Sequence, residues 1–282
     1  TAKLEKPFSK GLFASVSYTK ALAGNLFDGS GDQPLSAWQI TPTVNGANTS
    51  PQGYASYVLP DRVVGVISYR REYLKHLATT LSLFYQGSAD YRFSYVYGAD
   101  FNRDGVNGND LIYIPKNALD PNEIQFTTFT YSGVTYSPAM QAQIFENYIR
   151  QDKYLRKHRG QYAERNGGKY PWRNQIDFKF AQDFFVNIRK QRNTFQFTVD
   201  IFNFGNLLNS NWGKFRALNA SGILVPTNAT SGTIFQPGGT TRPTFRLATD
   251  RNHIVTESFR DIVSITSTYY MQFGLRYIFG NQ

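Results

Sequence analysis

The 282-residue chain has no cysteine, which excludes a disulfide framework and any thiolate metal site. It has no apolar run near the ~18 residues that a membrane-crossing helix needs, and a mean hydropathy of -0.42 gives no reason to expect one. Histidine is scarce: His76, His158 and His253 are the only three. None has a nucleophile motif beside it, so the triad logic of acyl-transfer enzymes finds no foothold. No glycine motif of the phosphate-cradling kind occurs either, and no enzyme is expected. What the chain has in quantity is aromatic side chains, 23 Phe and 19 Tyr. It also carries a formal charge of +10, but the basic residues are spread through the chain rather than gathered in a tail or on one helix face, and nucleic acid is not expected as a partner.

The pattern is clearest from Thr266 to Phe279. Tyr269, Met271, Phe273, Leu275, Tyr277 and Phe279 fall on one side of an extended chain, and Thr268, Tyr270, Gln272, Gly274 and Arg276 on the other. Period two predicts a strand. A strand of ~10 residues with an unbroken apolar face, aromatic ends and Gln and Arg opposite fits a transmembrane β-barrel, whose outer face meets lipid. The alternative is the closing strand of a soluble sandwich.

The same alternation recurs upstream. Leu12, Ala14, Val16 and Tyr18 alternate with Phe13, Ser15, Ser17 and Thr19; Val63, Gly65, Ile67 and Tyr69 share a face; so do Leu77, Thr79, Leu81, Leu83 and Tyr85. After a kink at Gly87 to Asp90 the strand is expected to resume with Phe93, Tyr95 and Tyr97. Ile176, Phe178 and Phe180 follow, then a basic turn at Arg189 to Asn193, then Phe195, Phe197, Val199 and Ile201. Short links alternate with long ones at 23–60, 98–172 and 205–261. That asymmetry is the one outer-membrane barrels show between periplasmic turns and extracellular loops. Thr1 to Glu5 reads as the tail of an earlier strand and Lys6 to Lys10 as a turn. Six to seven strands are too few for a closed barrel, which needs at least ~8, and open edges in lipid leave backbone groups unsatisfied. The chain is therefore expected to be a portion of a transmembrane antiparallel β-barrel, all-β, with one loop carrying a helix.

Several stretches carry a resemblance. Tyr95 to Pro115, Lys153 to Gly160, Glu164 to Asn166, Tyr170 to Trp172, Asp177 through Phe184 and Asp200 to Phe204 look like segments of the Oar-like TonB-dependent outer-membrane transporters of Bacteroidetes. As a set they cover nearly the whole chain, at the C-terminal end of the family's barrel. The resemblance implies that the chain is the C-terminal portion of a barrel of about 22 strands, with an N-terminal plug lying outside this chain, and placement in the cell outer membrane. It implies active uptake of a bulky nutrient. The implied partners are the remaining barrel and plug of the same protein, TonB through that missing part, lipid and lipopolysaccharide, and a possible surface lipoprotein. The competing expectation is an outer-membrane structural or surface-display protein, an adhesin or assembly scaffold.

Two loop segments carry chemistry of their own. In Asp100-Phe-Asn102-Arg-Asp104-Gly105, oxygen side chains stand at positions one, three and five with glycine at six, the opening half of an EF-hand-type calcium loop. The loop ends differently, with Leu111 at position twelve and Asp110 one place earlier. Asp100, Asn102, Asp104 and Asp110 are the candidate Ca2+ ligands, and an Asx/Gly turn without an ion is the alternative. Between Ser137 and Arg159 the period becomes helical, with Ser137 as cap, Pro138 at the first turn and Gly160 as stop. Its distal part is basic. Arg156, Lys157, Arg159 and Arg165 are the candidate contacts to an anionic ligand or to lipopolysaccharide phosphates; the alternative is a solvated helix held by ion pairs with Asp152 and Glu164. Trp38, Trp172 and Trp212 are expected at interfaces or in loop packing.

Overall fold

The computed structural model describes residues 1–27, 32–49, 52–188, 191–228 and 242–279. Strand makes up 48% and helix 12%, so the chain is a β protein, and no described helix is long and apolar enough to cross a membrane. Seven long strands form one sheet: β1 (Ala2–Ser9), β2 (Leu12–Lys20), β3 (Asp61–Tyr73), β4 (Leu77–Ala89), β5 (Trp172–Ile188), β6 (Gln191–Phe202) and β7 (Tyr270–Phe279). Their order across the sheet is their order along the chain, and every neighbouring pair is antiparallel. β1 and β7 are the edges.

The register sorts side chains cleanly. Tyr69, Leu81, Phe180, Val199 and Phe273 stand side by side in one row, while the row next to it holds Thr80, Ala181, Thr198 and Gly274. Opposite pointing of successive side chains makes these two different faces. On the apolar face, Val16, Ile67, Leu81, Phe195, Phe273 and Leu275 are all exposed, Leu275 at 70%. Among the described elements only the short helix Phe204–Leu208 packs substantially on the sheet, with Phe204 against Phe178. The polar face instead carries linked charges: Arg70 bridges Asp183 at 2.7 Å and Glu72 at 3.3 Å, Arg192 reaches Glu72 at 2.9 Å, and Lys179 pairs with Asp200 at 2.9 Å. Gln196 donates to Asp183 at 2.7 Å. Tyrosines mark both margins of the apolar face. Tyr18 and Tyr85 donate to Asp61 and Asn174 near the long connections; Tyr73 and Tyr277 donate to Gln182 and Asn193 near the short turns.

Four expectations are corrected. Lys6 to Ser9 belongs to β1 rather than to a turn; Pro7 is accommodated on an edge strand where the register shifts between Lys6 and Ser9. The turn is only Lys10-Gly11, both at positive φ, the two-residue geometry that matches strand twist, and Gly11 is required because a Cβ there would collide with the Arg70 carbonyl. Of the basic turn, Arg189 and Lys190 lie outside the described residues, whereas Arg192 and Asn193 are in β6. No kink occurs at Gly87: the Tyr85 hydroxyl and Trp172 ring occupy the space of its missing Cβ, and β4 continues to Ala89. Phe93, Tyr95 and Tyr97 therefore leave the main sheet. Finally, β7 starts at Tyr270, since Ser264 and Ser267 close a turn through Ser267 N to Ser264 O at 2.9 Å and Phe215 N to Ser267 Oγ at 2.9 Å. The backbone turn and the tether of Ser267 Oγ to Phe215 N, from a distant connection, hold the chain off the ladder there.

The apolar core lies in the long connections, not under the sheet. Tyr95, Ile112, Phe145, Ile149, Leu224 and Leu247 are fully or almost fully buried together, each contributing about 1.5–3 kcal/mol by leaving water. The helix Pro138–Gln151 supplies Phe145, Tyr148 and Ile149 to this core. Its Ser137 cap accepts from Met140 N at 3.3 Å, as expected. The helix stops eight residues before Arg159, because Asp152 accepts from the backbone of Tyr154 and Leu155 at 2.8 and 2.9 Å and turns the chain into the 3-10 segment Leu155–Lys157.

Candidate functional site

The acidic loop is held by its own side chains. Asp100 accepts from Asp104 N at 3.2 Å and Gly105 N at 2.9 Å; Asp104 accepts from Val106 N at 2.9 Å and Asn109 Nδ2 at 3.0 Å. Gly105, at φ 90°, makes the sharp turn that its place in the pattern demands. Asp110 is 2% exposed. Its Oδ2 accepts from Phe101 N and Asn102 N at 2.7 and 3.1 Å, while its Oδ1 and Asn109 Oδ1 have no partner among the described residues. Burial, only partly offset by those two N–H donors, pushes the Asp110 carboxyl up to about 6, with the Asp104 and Asp100 charges adding to the rise. Leu111 faces the core, so position twelve supplies no ligand. Among the described residues no three acidic, histidine or cysteine side chains converge closely enough to hold a metal ion. Thr43 N and O bond Asn109 O and Leu111 N at 2.7 and 2.9 Å, tying the first long connection to this loop.

The basic segment divides. Arg159 pairs with buried Glu146 at 2.7 Å and donates to Lys116 O at 2.9 Å. Burial alone would raise Glu146, yet Arg159, the Ala118 N–H and Arg150 outweigh it and hold the carboxyl below its usual range. Arg165 is buried and donates to the backbone carbonyls of Asn25 and Leu26. Both arginines knit connections together. Arg156 is exposed and does not line the cavity described next; Lys157 does. The ion pairs expected with Asp152 do not form, because Asp152 instead takes Tyr95 Oη at 2.6 Å and Ser258 Oγ at 2.7 Å.

A cavity of about 680 Å³ lies between the long connections and the adjoining ends of β4 and β5. One wall is aromatic: Phe93 meets Tyr170 and Phe259 edge to face at 5.5 and 5.8 Å, with Trp172 at the rim. Lys153, Lys157 and Lys169 line it and are exposed. Arg92 lines it too, buried, with its guanidinium 4.0 Å from the Tyr54 ring centroid and Nη1 donating to Asn166 O at 3.2 Å. Periodicity could not have found this site, since its residues come from sequence-distant connections that only the shared core brings together.

His158 stacks on Tyr154 at 4.1 Å and stands 3.6 Å from Glu164. Burial raises Tyr95, Tyr97 and Tyr154 far above neutrality and pushes Tyr148 up to about 12, so these phenols stay protonated at neutral pH. Trp38 donates to Asn48 at 3.1 Å and Trp212 closes over Gly205, both in loop packing.

Compared with known proteins, the chain matches no family model, no curated protein and no solved structure.

Proposed function

We propose that the chain is the C-terminal wall of an outer-membrane β-barrel, part of a TonB-dependent active transporter or receptor for a bulky nutrient. The observation that carries this reading is the uncovered apolar face of a seven-stranded meander whose other face is laced with ion pairs. In water such a face forfeits about 1.5–3 kcal/mol for each large side chain left uncovered, and contiguous patches of this size mark membrane or protein contact. In lipid the cost vanishes. Tyrosines at both margins, each with its hydroxyl bonded, fit the aromatic girdles of barrel interfaces. The meander order with long and short links alternating fits barrel topology. The transporter assignment itself rests on the resemblance of the loop and strand segments to the Oar-like family, with the remaining barrel, the plug and TonB as partners. Oxygen side chains of Asp100, Asn102, Asp104 and Asp110 are proposed to hold calcium in an extracellular loop. The unpartnered Asp110 Oδ1 supports this; the backbone donors already on Asp100 and Asp104 support the plain turn.

Mild extraction of the native protein followed by mass determination tests the barrel. A species larger than this chain, containing these strands, is expected; a monodisperse 32.1 kDa barrel contradicts it. Growth on nutrients that enter only through the protein, compared with and without TonB, separates the transporter from a surface-display scaffold. A scaffold is indifferent to TonB.

A further inference from the structure

The cations around the cavity fall into two groups. The arginines are engaged: Arg92 with the Tyr54 ring and Asn166 O, Arg216 with Asp261 at 3.3 Å, and Arg159 behind it with Glu146. Lys153, Lys157 and Lys169 are not. No carboxylate among the described residues lies within ion-pair distance of any of the three, although Asp152, Glu164 and Glu257 line the same cavity. Two of those acids are already occupied: Asp152 with four donors, from Tyr95, Ser258 and the backbone of Tyr154 and Leu155, and Glu164 with His158. The lysine charge is thus unmatched among the described residues.

The aromatic wall is fixed before any ligand arrives. Phe93 meets Tyr170 and Phe259 edge to face, Tyr170 and Phe259 meet each other at a tilt of 52°, and Tyr95, 5.0 Å from Phe93, is pinned to Asp152. A preformed wall lowers the ordering cost of binding. The volume lies within the ~300–1,000 Å³ typical of small-molecule sites. Lysines act as point charges and impose no planar fork, so they suit charges spread around a molecule rather than one carboxylate gripped in two places.

We propose that this cavity binds a multiply anionic small molecule with a ring or apolar body, its charges on Lys153, Lys157 and Lys169 and its body on the Phe93, Tyr170 and Phe259 wall. The proposal deepens the transporter reading by naming a ligand class. It does not require transport, because binding is read on solubilised full-length protein without energy coupling, so loss of binding and loss of uptake are separate results.

The probe is pyranine, a pyrene ring bearing three sulfonates, followed by fluorescence anisotropy. Saturable binding is expected, weakened at least about tenfold in the triple Lys153→Gln, Lys157→Gln, Lys169→Gln variant and by raised salt. Tyr170→Ala should weaken it about threefold or more, and Arg156→Gln, outside the cavity, should leave it within about twofold. The lysines are exposed and unpaired, so their replacement leaves the fold intact, which unchanged heat-dependent gel mobility confirms. Citrate, an acyclic trianion, should compete poorly. Competition by lipopolysaccharide that depends on the same lysines identifies its phosphates as the natural source; its absence alongside pyranine binding points to a free solute. No saturable pyranine binding, or equal affinity in the triple-lysine variant and the native protein, overturns the proposal.

Discussion

At the scale of single residues, two buried carboxylates in the same set of connections have opposite electrostatic signs. Asp110 is pushed up to about 6 by burial. An acid raised in the folded state stabilises the fold fully below its unfolded value and loses that contribution as pH rises to the folded one. The connections should therefore resist proteolysis between Gly98 and Leu111 better at pH 4 than at pH 7, with a loss on the order of 2–3 kcal/mol between about pH 4 and 6. Asp110→Asn should abolish that slope. If calcium occupies the loop, a cation beside Asp110 lowers its pKa, and added calcium should flatten the slope in the native protein while leaving Asp110→Asn unmoved; cleavage rates blind to calcium leave the turn alone. Glu146 runs the other way. Held below its usual range by Arg159, the Ala118 N–H and Arg150 despite its burial, it stabilises above its unfolded value and loses that as pH falls. Glu146→Gln leaves Arg159 without its carboxylate and should cost about 3 kcal/mol at pH 7, read as a lower denaturation midpoint for the connections, and little at pH 3.

At the scale of elements, the strands were legible and their ends were not. Alternation at Leu81 and Leu83, or at Phe195 and Phe197, is a property of the pleat itself, so period two located every long strand except β1, of which Thr1 to Glu5 was read as strand and Lys6 to Ser9, with Pro7 among them, as a turn. Alternation cannot say what lies beyond a face. Phe93, Tyr95 and Tyr97 alternate as well as any strand residues, yet Tyr95 and Tyr97 are core and Phe93 packs against it, because the signal for burial under a loop and for exposure to lipid is the same. Helix ends failed for a related reason: Arg156 to Gly160 carries good end signals, but the Asp152 side chain, competing locally for Tyr154 N and Leu155 N, ended the helix first. Of the candidate site, the acidic loop was readable as a turn, whereas the sequence grouped Arg159 and Arg165 with Lys157 as basic neighbours and only their partners separate them. On β7 the register makes a prediction. Phe273→Arg should cost about 2–4 kcal/mol in folding into bilayers, and Gln272→Arg, on the face with Asp200, close to nothing. Equal stabilities would place the register one residue off.

At the scale of the whole molecule, the distribution of apolar burial is inverted. The sheet holds few buried apolar side chains, Ala78, Ala181 and Phe185 among them, while the connections hold Tyr95, Ile112, Phe145 and Leu247. The connections are thus a packed unit of their own, joined across 57 and 106 residues of chain by the bonds of Asp152 to Tyr95 and Ser258. Tyr95→Ala should cost about 3–5 kcal/mol and loosen this unit, seen as faster amide exchange at Ile112, Ile149 and Leu247, without changing exchange in β4 to β6. Uniformly faster exchange in the sheet as well would mean that the two parts are one cooperative unit.

The central claim is that the apolar face meets lipid. A chain without cysteine allows single cysteines to be introduced and spin-labelled in the full-length protein, one at a time, along β4 and β7, in bilayers. Accessibility to oxygen, which concentrates in lipid, should peak at Leu81, Leu83, Phe273 and Leu275, and accessibility to a water-soluble nickel chelate at Thr80, Ser82, Gln272 and Gly274, with a period of two residues. Equal chelate access on both faces, or the two patterns exchanged, contradicts the account.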